Sequence, residues 1–281
     1  MKKSCDALHL HLPEVMDLAV TDADRIDAVV LAGAPNEGRL KEVSPERWEA
    51  LIDLAGKPLV RHSVEPLLKA RTVRRVVVVG PKAELEQALA GLDVDVVPPV
   101  GDIFDNVLAG CRHLSAGGAD PGLVLVAAAD VPLLTPDIID GLVRMCLERG
   151  GDVFYPVASR ETMEAGFPGT KRTYGTLREG TFTGGNLFVV RAAVLERVAR
   201  EAKALIEARK DAVKMALTLG VGFVLRLLLG RLSIAALERH VGRKFGFVAR
   251  AVIVPWAEIG IDVDKPADLD LVRAHLGRRG G

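Results

Sequence analysis

The feature that most constrains the fold is a repeated alternation of short, β-branched apolar runs with helical patterns. Two such runs, 76–79 and 123–127, each end in turn-forming residues that precede a helix-like stretch. Continuous apolar strands separated by helices are typical of a parallel sheet covered on both faces. The pattern therefore predicts an α/β fold with a mostly parallel central sheet. Ligands of such sheets bind at the carboxyl ends of the strands, so the residues after each strand are the first site candidates.

The regular pattern starts at Ile26 and sets the expected domain organisation. We expect an N-terminal extension over 1–25 and a single domain over 26–281. After Arg191 the alternation gives way to a stretch that is nearly all helix, and we interpret about 192–247 as a helical insertion. The expected breaks in this stretch are its glycines, Gly220, Gly222 and Gly230.

Composition excludes several classes of function. The 281 residues include 37 basic and 37 acidic ones, so no net charge favours nucleic acid or an anionic membrane. No run approaches the roughly 18–20 uninterrupted apolar residues of a transmembrane helix, because Arg226 and Arg231 interrupt the best stretch. The cysteines follow no metal-ligand spacing, which fits free thiols in a reducing compartment. We expect a cytoplasmic protein without stable membrane insertion.

The first apolar run ends in small residues that fit a phosphate-binding loop. Leu31, Ala32, Gly33 and Ala34 close the run, and Arg39 follows shortly after. Small side chains let a polyphosphate approach backbone N–H groups, and a basic side chain neutralises its charge. A plain strand followed by a turn has the same appearance, so the loop alone leaves both interpretations open.

Three aspartates are candidate metal ligands. Asp130 directly follows an apolar run, and Asp262 and Asp264 lie two apart, which places both on one face of an extended segment. Carboxylates at strand ends suit a hard cation such as Mg²⁺, which also bridges phosphates. The alternatives are a turn aspartate at Asp130 and a helix N-cap at Asp264, with Pro266 as the first helical residue.

A turn of small residues precedes a later strand over 187–190. Gly184 and Gly185 are followed by Asn186, whose amide can donate and accept hydrogen bonds. Paired glycines allow a ligand to approach the backbone closely. An ordinary turn before a strand explains them equally well.

Four features, taken in their order along the chain, resemble the pattern of one family. They are the small-residue loop, Asp130, the Gly-Gly-Asn turn and the late Asp-x-Asp. The chain is similar to nucleotidyltransferases with a glycosyltransferase-A-like fold, among them the molybdenum-cofactor, methylerythritol-phosphate and sugar-1-phosphate enzymes. The resemblance covers about 26–276, apart from the helical insertion. It implies a Rossmann-like three-layer αβα architecture. It also implies transfer of NMP from an NTP to a small phosphorylated acceptor, with Mg²⁺ as the cofactor and release of pyrophosphate.

The resemblance also implies roles for particular residues. Arg39 matches a loop arginine that contacts the triphosphate. Asp130 and Asp264 match the metal ligands, with Asp262 as second choice. The small loop and Asn106 would bind the nucleotide, and the Gly-Gly-Asn turn the acceptor. The residues assigned to nucleotide binding are Leu31, Ala32, Gly33, Ala34 and Asn106; those assigned to the acceptor are Gly184, Gly185 and Asn186.

The chain departs from the family pattern at its catalytic lysine. Counting back from Lys57 places Glu49 at the position where the family has lysine. A carboxylate cannot stabilise a pentacovalent phosphate, so another cation must supply the charge. The candidates are Lys41, Arg47 and Lys57, of which Lys41 is our hypothesis, with Arg39 and Lys57 as further catalytic residues.

Two alternative functions remain open, and a third does not fit the sequence. A nucleotide-binding regulatory protein with little or no turnover would explain Glu49. A glycosyltransferase that uses a nucleotide-sugar shares the broad fold, but it would need Asp-x-Asp after the middle strand, where this chain has Asp130 alone. A nicotinamide-binding fold needs a Gly-x-Gly-x-x-Gly loop that the chain lacks.

The helical insertion has two interpretations. It fits a pair of helices that pack on the domain or form a homodimer. It also fits a lid for an apolar acceptor, whose phosphate Arg226 and Arg231 would contact.

Overall fold

The computed structural model describes residues 20–116, 118, 120–198 and 220–279. Their strands form one large sheet and a small hairpin. The strands are β1 (Ile26–Leu31), β2 (Asp53–Leu54), β3 (Lys57–Pro58), β4 (Val73–Val79), β5 (Asp95–Val97), β6 (Leu123–Ala128), β7 (Val153–Ser159), β8 (Gly175–Leu177), β9 (Gly180–Gly184), β10 (Leu187–Arg191) and β11 (Ala249–Val254). The helices are α1 (Leu59–Lys69), α2 (Lys82–Ala88), α3 (Ile103–Leu114), α4 (Pro136–Arg149), α5 (Arg160–Gly166), α6 (Ala192–Arg197), α7 (Val221–Leu228), α8 (Ile234–Phe245) and α9 (Pro266–Arg279).

One half of the sheet is parallel and carries the predicted strand ends. Its order is β5-β4-β1-β6, and β1 pairs parallel with both neighbours, with one register shift against β4 between Ile26 and Ala28. Residues 26–30 of β1 are all buried, as expected for a strand covered on both faces. The carboxyl ends of β1, β4 and β6 therefore meet at one edge, where the predicted loop and Asp130 lie.

The other half of the sheet brings the later part of the chain to the same edge. Strand β10 runs antiparallel between β6 and β7, with Leu187 opposite Ala127. The turn that precedes β10 thus lies beside the end of β6. Strand β11 pairs parallel with β7. The half formed by β5, β4, β1 and β6 is parallel, so the predicted α/β class with a mostly parallel central sheet is confirmed.

Helices cover both faces of the sheet, which confirms the three-layer architecture. Side chains of α1 and α4, such as Val64 and Leu142, pack with Val30 on one face. Side chains of α3 and α6, such as Phe104 and Leu195, pack on the other face. The N-cap of α4 also follows the sequence: Thr135 accepts a hydrogen bond from Ile138, and the helix begins at Pro136.

A third apolar cluster anchors the segments around the candidate site. Leu40, Leu133 and Val263 are all buried in it, together with the side chains of Met163 and Phe167. Leu40 lies between two exposed cations of the chain, and Val263 lies between two aspartates. Burial of these apolar residues fixes where their charged neighbours emerge.

The helical insertion is described in part. Helices α6, α7 and α8 agree with the predicted helical stretch, and residues 199–219 lie outside the described residues. Gly220 and Gly230 adopt positive φ, as expected for breaks between helices. Gly222 was expected to break a helix, but that prediction is wrong because Gly222 lies in the first turn of α7. Most of the predicted extension, residues 1–19, also lies outside the described residues.

The cysteines that the structure describes are packing residues, as expected. Cys111 and Cys146 are free and buried, and burial raises the pKa of each thiol to about 12. Cys5 lies outside the described residues. Across the described part of the chain, no helix combines the length and apolarity needed to cross a membrane.

Asp140 fastens α4 to the turn between α1 and β4. Its carboxylate accepts hydrogen bonds from the Thr72 hydroxyl at 2.7 Å, the Thr72 N–H at 2.9 Å and the Arg71 N–H at 3.3 Å. Burial opposes ionisation of Asp140, but these hydrogen bonds outweigh it and hold the pKa of the carboxyl below its usual value. The ionised group therefore stabilises the fold.

We expect Asp140→Ala to lower the free energy of unfolding by about 2–4 kcal/mol, because several buried donors lose their acceptor. The folded-state pKa lies below the unfolded value, so this contribution is complete above about pH 4 and fades as the pH falls through the folded pKa. Urea unfolding at pH 7 and pH 3 measures both effects. Asp137→Ala, an exposed aspartate in the same helix, is the matched control and should cost less than about 1 kcal/mol. Equal losses in the two variants would contradict the assignment.

Candidate active site

The loop after β1 is braced from one side by residues 47–49. The N–H of Asn36 donates to the Arg47 carbonyl at 2.9 Å, and the N–H of Glu49 donates to the Ala34 carbonyl at 3.1 Å. The buried Asn36 amide donates to the Ser44 and Glu46 carbonyls. Among the described residues, the N–H groups of Gly33, Ala34 and Gly38 have no acceptor. The loop is thus rigid and still presents donors, as an anion-binding loop must.

Two glycines let the ends of β1 and β4 come together. A Cβ on Gly80 would stand 2.7 Å from the Ala32 carbonyl oxygen and 2.6 Å from Leu85. A Cβ on Gly33 would meet only ordinary contacts, at 3.7 Å from Gly80 and 3.9 Å from Pro99. Protein packing therefore requires glycine at position 80 but not at position 33. Because packing does not explain the glycine at position 33, we interpret it as leaving space for a ligand.

Asn106 holds the loop that faces Gly33. Its Oδ1 accepts a hydrogen bond from the Val100 N–H at 2.9 Å, and its Nδ2 donates to the Gly101 carbonyl at 3.3 Å. Both hydrogen bonds of the Asn106 side chain go to the loop backbone, so this side chain fixes the shape of the Pro99–Gly101 loop. Direct contact of Asn106 with a nucleobase stays a prediction.

Asp130 lies just beyond β6 with an unsatisfied carboxylate. Its Oδ1 is buried and has no hydrogen-bond partner among the described residues. The Asp130 carbonyl accepts a hydrogen bond from the Val263 N–H at 3.0 Å, so the late Asp-x-Asp segment lies directly against Asp130. Burial, followed by the negative charges of Asp262 and Asp264, raises the pKa of Asp130 to about 7.

Asp264 does not cap the last helix, as one interpretation of the sequence held. Helix α9 begins at Pro266, as expected, but the carboxylate of Asp268 accepts the N–H groups of Asp264 and Lys265, each at 3.1 Å. No hydrogen bond to the Asp264 carboxylate occurs among the described residues. Burial and the charge of Asp262 raise the pKa of Asp264. Its carboxylate is therefore left for another partner.

Asp262 is paired with Arg172. The guanidinium donates to Asp262 Oδ1, and both side chains are largely buried. Arg172 lies ninety residues before Asp262 in the chain, and no local pattern in the sequence indicates the pair. Because Arg172 occupies one oxygen of Asp262, Asp264 remains the better candidate ligand beside Asp130.

Glu49 lies at the same edge as these aspartates. Burial raises the pKa of Glu49, and the charge of Asp264 adds to the rise. A Cβ on Gly38 would stand 3.8 Å from Glu49 Oε1, so the carboxylate also borders the loop. The residue that departs from the family pattern is thus part of the candidate site.

The three predicted catalytic cations have different surroundings. Arg39 and Lys41 are exposed in a short 3-10 helix directly after the loop, on either side of buried Leu40. Neither has an ion-pair partner among the described residues. Lys57 pairs with Glu65 at 2.9 Å, and Glu65 also holds Arg61. The structure therefore brings Arg39 and Lys41 to the loop and ties Lys57 to α1.

Packing explains the two glycines of the Gly-Gly-Asn turn. A Cβ on Gly184 would collide with the Tyr155 ring and hydroxyl, and one on Gly185 would stand 2.7 Å from Ile259. The prediction that they admit an acceptor therefore has a structural alternative. Asn186 differs, because its Nδ2 is buried without an acceptor among the described residues, and its carbonyl accepts the Ala128 N–H. This places Asn186 within two residues of Asp130 along the sheet edge.

The donor set around Asp130 fits a hard divalent cation. Asp130 Oδ1 is buried without a hydrogen-bond partner among the described residues, and no described side chain or N–H group donates to the exposed Asp264 carboxylate. No group of three or more His, Cys, Asp or Glu that could hold a metal occurs among the described residues. Two protein carboxylates suit a cation that takes its other ligands from water and phosphate, as Mg²⁺ does.

Comparisons with known proteins agree with the fold. A hypothetical transferase from Thermus thermophilus superposes with a TM-score of 0.75 at 34% identity, covering 87% of this chain and 99% of that one. A 2-C-methyl-D-erythritol 4-phosphate cytidylyltransferase from Bordetella petrii is 30% identical over 64% of this chain and 80% of its own length. A match to bifunctional protein GlmU from Exiguobacterium sibiricum, 29% identical over 45% of this chain, spans only 27% of that protein.

The family model described as "MobA-like NTP transferase domain" matches residues 28–215, about two thirds of the chain. The match begins in β1 and includes the loop, Asp130 and the Gly-Gly-Asn turn. The geometry of the strand ends and this match lead to one conclusion: the chain belongs to the MobA-like NTP transferase family.

Proposed function

We propose that this protein transfers a nucleotidyl group from an NTP to a small phosphate-bearing acceptor, with Mg²⁺ as cofactor, and releases pyrophosphate. The observation that carries the proposal is the buried Asp130 Oδ1, which lies at the carboxyl edge of β6, close to Asp264, and has no hydrogen-bond partner in the part of the chain that the structure describes. A carboxylate oxygen that is buried without a hydrogen-bond donor, close to further negative charges, is unfavourable in a folded protein. Such an arrangement persists where a ligand supplies the missing charge.

Asp130 and Asp264 would hold the cation, with Asp262 restrained by Arg172. When bound, a divalent cation neutralises phosphate charge and orients the triphosphate. The braced loop supplies N–H donors from Gly33, Ala34 and Gly38. Leu31 and Ala32 line its start, and the Pro99–Gly101 loop closes the opposite side.

The reaction needs no covalent enzyme intermediate. A phosphate oxygen of the acceptor attacks the α-phosphorus of the NTP in line, and pyrophosphate leaves with the bonding electrons. The protein contributes by positioning the reactants and by stabilising charge in the transition state. Arg39 and Lys41 supply positive charge next to the loop, and the buried Leu40 between them limits their movement.

Pyrophosphate release tests the function directly. Each of the four NTPs is incubated with Mg²⁺ and a panel of sugar, polyol and cofactor phosphates. Thermal shift with each NTP alone measures binding separately, because a ligand of the folded state raises its apparent stability. Release with one NTP and one acceptor supports the proposal. Clear binding of an NTP without release across the panel would favour a nucleotide-binding regulatory protein instead, an alternative that Glu49 keeps open.

Glu49 is expected to weaken NTP binding. Its carboxylate borders the loop where triphosphate charge would lie, and charges a few ångströms apart near a protein surface interact by several kcal/mol. We expect Glu49→Gln to lower the KM for the NTP about three- to tenfold, with kcat less affected. Steady-state pyrophosphate release measures both constants. Glu46→Gln, an exposed glutamate nearby, is the control. If Glu49→Gln loses as much kcat as an Asp130 variant, Glu49 contributes to catalysis and does not weaken NTP binding.

A further inference from the structure

A second cleft opens beside the candidate active site. It has a volume of about 570 Å³ and is lined by α5 and the segment that leads to β8. The lining residues that carry polar groups are Arg160, Glu164, Thr170, Lys171, Arg172 and Tyr174. This volume lies within the range of small-molecule sites in proteins. No residue assigned to nucleotide or metal binding lines it.

The cleft carries excess positive charge. Arg160 and Lys171 line it together with a single carboxylate, that of Glu164, while the charge of Arg172 is met by Asp262. Among the described residues, neither Arg160 nor Lys171 has an ion-pair partner. The Arg160 guanidinium lies over the Tyr174 ring at 4.6 Å, which restrains its position. Uncompensated cations around a cavity favour an anionic ligand.

Arg172 joins this cleft to the active-site carboxylates. Its side chain lines the cleft and also pairs with Asp262, in the segment whose Val263 N–H donates to the Asp130 carbonyl at 3.0 Å. Helix α5, which forms one wall of the cleft, packs tightly against the segment that leads to Asp262. A Cβ added to Gly260 would stand only 3.0 Å from Met163 Sδ of α5. An anion bound in the cleft thus lies one ion pair away from the site of nucleotidyl transfer.

We infer that this cleft binds the acceptor through its phosphate group, with Arg160 and Lys171 as binding residues and Arg172 as a positioning residue. The inference rests on the proposed function, because it assigns the second substrate of that reaction. The ligand class is a phosphate monoester of a small sugar or polyol. Its anionic group suits the net positive charge that Arg160 and Lys171 give the lining, and the cavity has room for a small sugar or polyol.

Direct binding of glycerol 3-phosphate, measured by calorimetry with glycerol as the uncharged comparison, tests the inference without requiring turnover. We expect Arg160→Ala and Lys171→Ala each to weaken glycerol 3-phosphate binding about tenfold, the cost of one charge-assisted hydrogen bond. Lys171→Glu should weaken it further. Lys69→Ala, an exposed lysine at the end of α1, should leave it unchanged. The thermal shift produced by an NTP should stay the same in all of these variants.

The outcomes separate this inference from the proposed function. If wild-type protein binds glycerol 3-phosphate and both cleft variants bind it equally well, or if wild type does not bind it at millimolar concentration, the cleft is not the acceptor site. In either case NTP shifts and pyrophosphate release can still support the function. If no NTP shifts the protein and none is turned over, the proposed function fails. Selective loss of phosphate binding in the cleft variants would then show an anion site that serves another reaction.

Discussion

Asp130→Asn is expected to abolish nucleotidyl transfer and at the same time to stabilise the protein in the absence of metal. We expect kcat to fall at least about 10²–10³-fold, as when other preorganised charge-stabilising groups are removed. The gain in stability has a separate cause. Asp130 Oδ1 is buried without a hydrogen-bond partner among the described residues, and Asp262 and Asp264 add negative charge nearby, so the ionised form of Asp130 is unfavourable in the folded state.

The sign of the pH dependence follows from the raised pKa. The unfolded carboxyl titrates near 4 and the folded one at about 7. The folded state therefore holds its proton more tightly, and the destabilising effect of ionisation grows between about pH 4 and pH 7 and is complete above pH 7. We expect Asp130→Asn to be more stable than wild type by about 1–3 kcal/mol at pH 8 and to differ little at pH 4.

Urea unfolding without metal at both pH values, together with pyrophosphate release at pH 8, measures the two effects. Added Mg²⁺ should stabilise wild type and leave Asp130→Asn unchanged, because the variant lacks the ligand. Asp93→Asn, an exposed aspartate far from this edge in sequence, is the control for both measurements. Unchanged turnover in Asp130→Asn, or lower stability at pH 8, would contradict the role given to this carboxylate.

The fold was largely predictable because its parallel strands are continuous apolar runs. β4 and β6 each contain such a run, the antiparallel strand β10 is also an apolar run, and the Thr-Pro pair at the start of α4 marks a helix. Strand β7 gave no such signal, because it contains Pro156 and alternates buried with exposed residues. Helix α3 did carry an unused signal, the capping box formed by Asp102 and Asp105.

The site was predictable where it depends on strand ends, and not where it depends on distant contacts. A carboxylate directly after an apolar run must lie at the sheet edge, so Asp130 could be found from the sequence. The ion pair between Arg172 and Asp262, and the position of Glu49 beside Asp264, join segments far apart in the chain. A local pattern cannot report such pairs. The glycines of the Gly-Gly-Asn turn are a local pattern that is ambiguous. The sequence does not tell whether a ligand or a protein side chain such as Tyr155 fills the space beside them.

Lys41→Ala is expected to reduce kcat for nucleotidyl transfer about 10²-fold, with a smaller change in the KM for the NTP. The resemblance to the family implies a catalytic lysine where this chain has Glu49, so we expect another cation to meet the transition-state charge. Lys41 is exposed, follows the loop directly and has no carboxylate partner among the described residues, whereas Lys57 is held by Glu65 at 2.9 Å. Burial of the adjacent Leu40 keeps the Lys41 backbone in place.

Steady-state pyrophosphate release compares Lys41→Ala with Lys57→Ala, and Lys69→Ala controls for loss of a surface charge. Lys41→Arg separates charge from shape: it should retain part of the activity if a cation alone is required. The double variant Glu49→Lys, Lys41→Ala moves the cation to the family position. Recovery of turnover in it would show that the two positions serve the same transition state, because the lysine at 49 borders the same loop. Unchanged kcat in Lys41→Ala, or a larger loss in Lys57→Ala, would assign the catalytic charge to Lys57 or Arg47 instead.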